Sequence, residues 1–310
     1  MEKKKKIIIV LAGPTASGKT DLAIRIAKIL DSDIISADSR LVYRDFNIGT
    51  AKPSLQEMNG IKHHMIDIVN PDINFTAAVY KDMAQNIIDN LHNNNKIPVI
   101  AGGTGFYIKA LIDGLNIPKV EPDEDYRNEL KDFVDSHGKD ALHNKLKVID
   151  PESAFKLHPN DVFRVIRAME VFHKTGSPIS KLQTKNSSPY NLVYAALSTE
   201  NRDYLYNRIN HRVLTMIETG LTEEVKFLIS KYGKTLSLLK TLGYKEVVDF
   251  MESKCSYNQM IENIQKNTRH FARRQLIWFR PDKRICWYFI DKSSPEMIVE
   301  DILNRLNSYD

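Results

Sequence analysis

The stretch that most constrains this chain is Gly13-Pro14-Thr15-Ala16-Ser17-Gly18-Lys19-Thr20. An apolar run, Ile7 to Ala12, precedes it, and Asp21 to Ala27 follows with helical periodicity. Strand, then G-x-x-x-x-G-K-[ST], then helix is the P-loop arrangement. Its glycines let backbone N–H groups converge on an anion, and the helix adds the positive end of its dipole. Lys19 would neutralise phosphate charge and the Thr20 hydroxyl would hold Mg²⁺. The expected fold class is therefore α/β, a P-loop NTPase-like parallel sheet flanked by helices. The loop specifies a di- or triphosphate and leaves open which one, nucleotide (ATP) binding being its commonest use.

A chain of 310 residues has room for one large α/β domain and a smaller insertion. The net charge of +5 hints only weakly at an anionic partner. Its two cysteines, Cys255 and Cys286, lack C-x-x-C or zinc-type spacing, which argues against a disulfide framework or zinc module. Glu2 to Lys6 and the apolar residues after it are too short for a signal peptide, and no stretch approaches a membrane span. These features predict a cytoplasmic, enzyme-like protein.

Asp33 to Ala37 reads as a strand that delivers Asp38 to the P-loop edge of the sheet. Asp38 is a candidate Mg²⁺ ligand, general base or N-cap, and spacing does not separate the three. His63 and His64 would point to opposite strand faces, a poor metal pair suited to structural roles. The helix expected over 75–91 turns Ala78, Val79, Met83, Ile87 and Leu91 inward. A strand over 97–101 then enters Gly102-Gly103-Thr104-Gly105, where Thr104 could hydrogen-bond a phosphate or a leaving oxygen.

The pattern changes to charged helical stretches over 116–189, read as an insertion domain within a core of 1–115 and 190–310. In it, Asn160 or Asp161 caps a helix with Val162, Val165, Ile166, Met169 and Phe172 inward. Arg164 and Arg167 share another face, as a solvated pair or as RNA phosphate contacts. Asn201 to Glu218 forms a later helix with Arg208 and Arg212 on one flank, placed to stabilise phosphoryl charge or to make surface ion pairs. Over 261–280, Ile261, Ile264, Phe271, Trp278 and Phe279 fall on one arc. Lys266, Arg269, His270, Arg273 and Arg280 fall opposite, an electrostatic footprint for nucleic acid.

Together these residues resemble the tRNA dimethylallyltransferases. The matching segments include GPTASGKT at 13–20, ISADSRLVY at 35–43, AGGTGFYIKAL at 101–111, HPNDVFRVIRAMEV at 158–171 and NTRHFARRQLIWFR at 267–280. They span nearly the whole chain. The resemblance implies transfer of a dimethylallyl group from dimethylallyl diphosphate to N6 of adenosine 37, beside the tRNA anticodon. It makes residues 13–20 a pyrophosphate cradle with Mg²⁺ at Thr20, and Asp38, Thr104 and Arg208 catalytic. It also makes Asp38, Ser39, Arg40, Leu41, Thr104 and Tyr126 RNA contacts, with Phe163, Arg164, Val165, Ile166 and Arg167 in the insertion and Lys266, Arg269 and Arg273 on the basic helix. The anticodon stem-loop is thus the expected partner of the insertion and basic helix, with no protein partner and a monomeric state. Leu41 and Phe163 stand where the family pattern leads one to expect Gln, so base-recognition detail differs here. The zinc-finger tail of some eukaryotic relatives is not expected. A small-molecule kinase would leave the basic helix idle, and an RNA-binding NTPase switch would give Asp38 and Thr104 no task.

Overall fold

The computed structural model describes residues 6–184 and 188–309; the basic stretch at 2–5 lies outside them. The chain forms two compact units, one from residues up to Leu111 and from Pro189 onward, the other from Ile112 to Ser188.

The first unit opens with β1 (Lys6–Ala12), α1 (Lys19–Ile29), β2 (Ile34–Ser36), β3 (His63–His64), α2 (Ala77–Asn93), β4 (Val99–Gly102) and α3 (Gly105–Ile112). The second contains α4 (Glu124–His137), α5 (Lys139–Ile149), α6 (Pro151–Lys156), α7 (Val162–Thr175) and α8 (Ile179–Leu182). The first resumes with β5 (Tyr190–Ser198), α9 (Arg202–Glu218), α10 (Leu221–Tyr232), a 3-10 turn (Ser237–Lys240) and α11 (Tyr244–Met251). It closes with α12 (Tyr257–Phe279), β6 (Cys286–Phe289) and α13 (Pro295–Asn307).

The six-stranded sheet runs β3-β2-β4-β1-β5-β6, with every pair parallel. A parallel sheet covered on both faces needs unbroken apolar strands, and Ile8 to Ala12 are fully buried. Each such isoleucine contributes about 2 kcal/mol by burial alone. The register aligns Ala12 with Gly102 and Ser36 with Ala101, so three strands end side by side. Their exits (the P-loop, the turn at 38 and the turn at 103) therefore meet at one edge, where open α/β sheets bind ligands.

Two details differ from the sequence pattern. On α2 the buried residues are Ala78, Tyr80, Ala84, Ile88 and Leu91, while Val79 and Met83 are exposed. Tyr80 stacks on Tyr107 with ring centroids 4.2 Å apart, and that aromatic pair turns the helix by one position from the aliphatic stripe. On α12 the inward residues are Met260, Ile264, Ala272, Gln275 and Phe279, and Phe271 and Trp278 stay exposed.

The second unit closes round Leu130, Leu142, Leu146, Val165, Ile166 and Met169. Among the described residues, no helix is long and apolar enough to cross a membrane.

Candidate active site

The P-loop turns into α1 through Gly18, whose φ of 86° lies in the left-handed region that favours glycine. No side chain caps that helix end, so its first N–H groups remain available to an anion. Ala16 holds φ 62°, a conformation costly for alanine and common where backbone must approach a ligand. The Pro14 carbonyl accepts from Lys19 Nζ at 2.6 Å and Ser17 Oγ at 2.8 Å. Burial, helped by the Arg212 charge and opposed by Asp38, pushes the Lys19 ammonium down to about 7. A carbonyl is a weak partner for a desolvated cation. Lys19 is thus held ready for a stronger anion.

Asp38 and Thr104 meet through backbone. Thr104 Oγ1 accepts from Ser39 N at 3.0 Å, while Asp38 Oδ1 accepts from Arg40 N at 2.8 Å and Leu41 N at 3.4 Å. Asp38 therefore caps its own turn with one oxygen, and both residues line a cavity of roughly 500 Å³ beside Lys19 and Thr20. Thr15, Ser39, Arg40 and Leu41 line it too, as does His63, whose Nδ1 meets the Ile61 carbonyl at 2.9 Å.

Arg208 and Arg212 divide their labour. Arg208 Nε donates to the Ala16 carbonyl at 2.7 Å, bracing the P-loop from outside. Arg212 lines the cavity itself. Burial lowers its guanidinium, although Asp38 and Glu57 pull the other way. The sequence signal for Arg212 was its i,i+4 spacing from Arg208, which did not tell the two apart.

Helix α12 contributes Phe271, Arg274 and Gln275 to the cavity, none of them among the sequence candidates. Gln275 Oε1 accepts from Thr15 N at 2.9 Å and its Nε2 donates to the Gly103 carbonyl at 3.0 Å. Lys266 and Arg273 are exposed, but Arg269 donates to Asn210 Oδ1 at 2.7 Å and lies over the Tyr206 ring. The basic face is therefore narrower than the periodicity indicated.

Two corrections concern α7. Val165 and Ile166 are 1% and 5% exposed in the core of their unit, so their side chains cannot touch RNA. Arg167 donates to Glu170 Oε2 at 2.6 Å and to the Pro118 carbonyl at 3.4 Å. Glu170 is wholly buried and also bonded by Arg127 and by Asp123 N. Burial alone would raise its carboxyl, yet these donors hold it below the ordinary value. Arg167 is thus spent on a structural ion pair. Phe163 and Arg164 remain exposed, and Asp161 caps the helix. Tyr126 stacks on His173 at 4.1 Å.

No group of three or more His, Cys, Asp or Glu side chains among the described residues could hold a metal. Thr20 and Asp38 are the oxygen donors that the P-loop helix and the turn at 38 bring to the cavity, with Thr15, Ser39 and Thr104 beside them. That sparse set fits a small hard cation that keeps several waters and takes its remaining ligands from phosphate oxygens.

The IPP transferase family model matches residues 41–282. A tRNA dimethylallyltransferase of Geobacter sulfurreducens is 45% identical over 284 residues, covering 90% of this chain and 91% of that one. The crystal structure of the tRNA isopentenylpyrophosphate transferase of Bacillus halodurans superposes with a TM-score of 0.73 at 39% identity, covering 98% of each chain. A eukaryotic dimethylallyltransferase solved acting on tRNA reaches a TM-score of 0.78 at 27% identity, over 97% of this chain and 80% of its own.

Proposed function

Since the chain belongs to the IPP transferase family of tRNA dimethylallyltransferases, we propose that it transfers a dimethylallyl group from dimethylallyl diphosphate to N6 of adenosine 37 in the tRNA anticodon loop. The observation that carries this reading is the cavity at the sheet edge, lined by Lys19, Thr20, Asp38, Thr104 and Arg212. The cavity thus brings the Lys19 and Arg212 cations and the uncapped P-loop end of α1 together with the Asp38 carboxylate.

The donor's pyrophosphate rests on the P-loop amides and Lys19. As the allylic C–O bond breaks, negative charge grows on pyrophosphate, where Lys19, Arg212 and the helix terminus stabilise it. Arg208 acts at one remove by holding the Ala16 carbonyl. The N6 lone pair forms the new C–N bond, and the N6 proton passes to the Asp38 carboxylate. The Asp38 oxygen not used for the turn has no partner among the described residues and is free for that proton. Thr20 would hold Mg²⁺ here, and the bound ion would supply further neutralisation of the leaving group.

The adenosine must leave its stack to enter such a cavity. Exposed Lys266 and Arg273 on α12, with Phe163, Arg164 and Tyr126 of the second unit, are the RNA contacts of this reading. Leu41 at the cavity wall offers apolar surface in place of an amide.

The test is transfer of label from the allyl carbons of dimethylallyl diphosphate to unmodified tRNA with Mg²⁺, with and without ATP. Label in an anticodon-loop N6-alkyladenosine without ATP is expected. ATP-dependent phosphorylation of a small acceptor, with unlabelled RNA, would overturn the reading.

A further inference from the structure

Gln275 is a nearly fully buried polar side chain, 6% exposed, near the C-terminal end of α12, where Ala272 and Phe279 on the same face are buried and apolar. Such a group is costly unless both ends of its amide are satisfied. Both are, and each partner belongs to a different loop: Thr15 N on the P-loop at 2.9 Å, and the Gly103 carbonyl at 3.0 Å on the turn that carries Thr104. The fit is close. A Cβ on Gly103 would lie 2.1 Å from Gln275 Nε2, so only glycine admits the amide there.

From the Gly103 turn the connections continue. Thr104 Oγ1 receives Ser39 N, and the neighbouring Asp38 carboxylate holds the turn that follows. Thr104 N itself donates to the Ala37 carbonyl at 3.0 Å. One side chain therefore ties the loop that would seat the diphosphate to the turn that would seat the accepting base.

We propose that Gln275 is a positioning residue that fixes the distance between the diphosphate cradle and the Thr104–Asp38 side of the cavity. This rests on the transfer reading above. Its amide touches neither reacting partner in this scheme. Thr15 N is already occupied by Gln275, so the amide adds no donor to the anion site and works through the spacing of the two loops. In-line displacement at an allylic carbon depends steeply on that spacing, because donor carbon and N6 must approach along one axis. An error of about 1 Å in such an arrangement costs on the order of 100-fold in rate.

The test uses the full-length protein and two variants. Gln275→Met keeps the volume and removes both hydrogen bonds. Gly103→Ala leaves Gln275 in the sequence but thrusts a methyl against its amide, whose flexible end can swing aside so that the chain still folds. Single-turnover prenyl transfer to tRNA is measured with Mg²⁺-pyrophosphate affinity by calorimetry, tRNA affinity by filter binding and the thermal midpoint.

Each variant is expected to lose about ten- to 100-fold in single-turnover rate, with both affinities within about threefold of the parent. The double variant should be no slower than the worse single, because the two changes break one link. A rate equal to the parent's in Gln275→Met would overturn the proposal. So would a loss explained by weaker pyrophosphate binding, a loss that tracks only the folded fraction, or additive losses in the double variant. If the parent binds pyrophosphate but transfers no prenyl group, the transfer reading itself fails, visibly and separately from the variants.

Discussion

Arg212 on α9 and Arg167 on α7 look alike in sequence, each an arginine one turn from another on an amphipathic helix. The molecule uses them in opposite ways. Arg167 lies against Glu170, a buried carboxylate that also holds Arg127 and a backbone amide. Arg212 lies in a cavity with Lys19, where burial lowers both cations and the charge of Arg212 lowers Lys19 further. In the helical unit the buried carboxylate of Glu170 is met by its own donors; at the sheet edge the Lys19 and Arg212 cations lack such a partner among the described residues. Two desolvated cations side by side are hard to explain by stability and easy to explain by a polyanionic ligand.

That contrast is most exposed to Arg212→Met. Loss of a cation aimed at developing pyrophosphate charge should lower kcat/KM for dimethylallyl diphosphate about 100- to 1,000-fold. The thermal midpoint without ligand should stay level or rise, since the substitution removes a desolvation cost. A lower midpoint with activity intact would place Arg212 in the same class as Arg167.

Lys19 gives a second, smaller handle through pH. In the ligand-free protein its ammonium titrates near 7. Above that pH it is neutral, so an arriving pyrophosphate must draw in a proton to regain the ion pair. Affinity for Mg²⁺-pyrophosphate should therefore fall with rising pH above 7, by up to about tenfold per unit. Calorimetry in buffers of different ionisation enthalpy should show the proton uptake, and Lys19→Met should abolish that component. The stability effect has its own sign. Lys19 is lowered on folding from 10.5, so between 7 and 10.5 the unfolded chain binds more protons and this residue's contribution to ligand-free stability rises with pH. An affinity that follows only the titration of pyrophosphate in both proteins would mean that Lys19 is charged before the ligand arrives.

The same two regions show where sequence reasoning reaches. Residues 13–20 were legible because the loop's chemistry lies in consecutive residues between a strand and a helix. Asp38 and the turn at 102–105 were legible because strand ends in a parallel sheet share one edge. Gln275 was not: its partners lie 260 and 172 residues away, and nothing local separates it from Gln259 and Gln265 on the same helix. The arc on α12 was misplaced because Phe271 faces the cavity instead of the core, and Trp278 lies against Phe106 and the Gly105 backbone. Val165 and Ile166 fell in a family-like segment and on an apolar stripe at once, and burial decided for the stripe. Periodicity finds faces; it does not say which face meets a ligand.

The smallest effect is expected on α7, and it bears most directly on the contrast. The Arg164 side chain is 61% exposed, with only a 3.4 Å contact to Asp161 Oδ2. An exposed cation of that kind gives up little when it meets an RNA phosphate. Arg164→Ala should leave the thermal midpoint unchanged, weaken tRNA binding a few-fold, and flatten the slope of log affinity against log salt by about one. Arg167→Ala should do the reverse. It strips one donor from a buried carboxylate, at a cost of about 1–3 kcal/mol of stability, while the salt slope stays that of the parent. Arg127 and Asp123 N still hold Glu170, which keeps the loss below that of an orphaned buried charge. If Arg167→Ala flattened the salt slope as much as Arg164→Ala with its midpoint unmoved, the ion pair with Glu170 would have to open on RNA. The second unit would then hold charge in reserve as the sheet edge does, and the division between the two regions would fail.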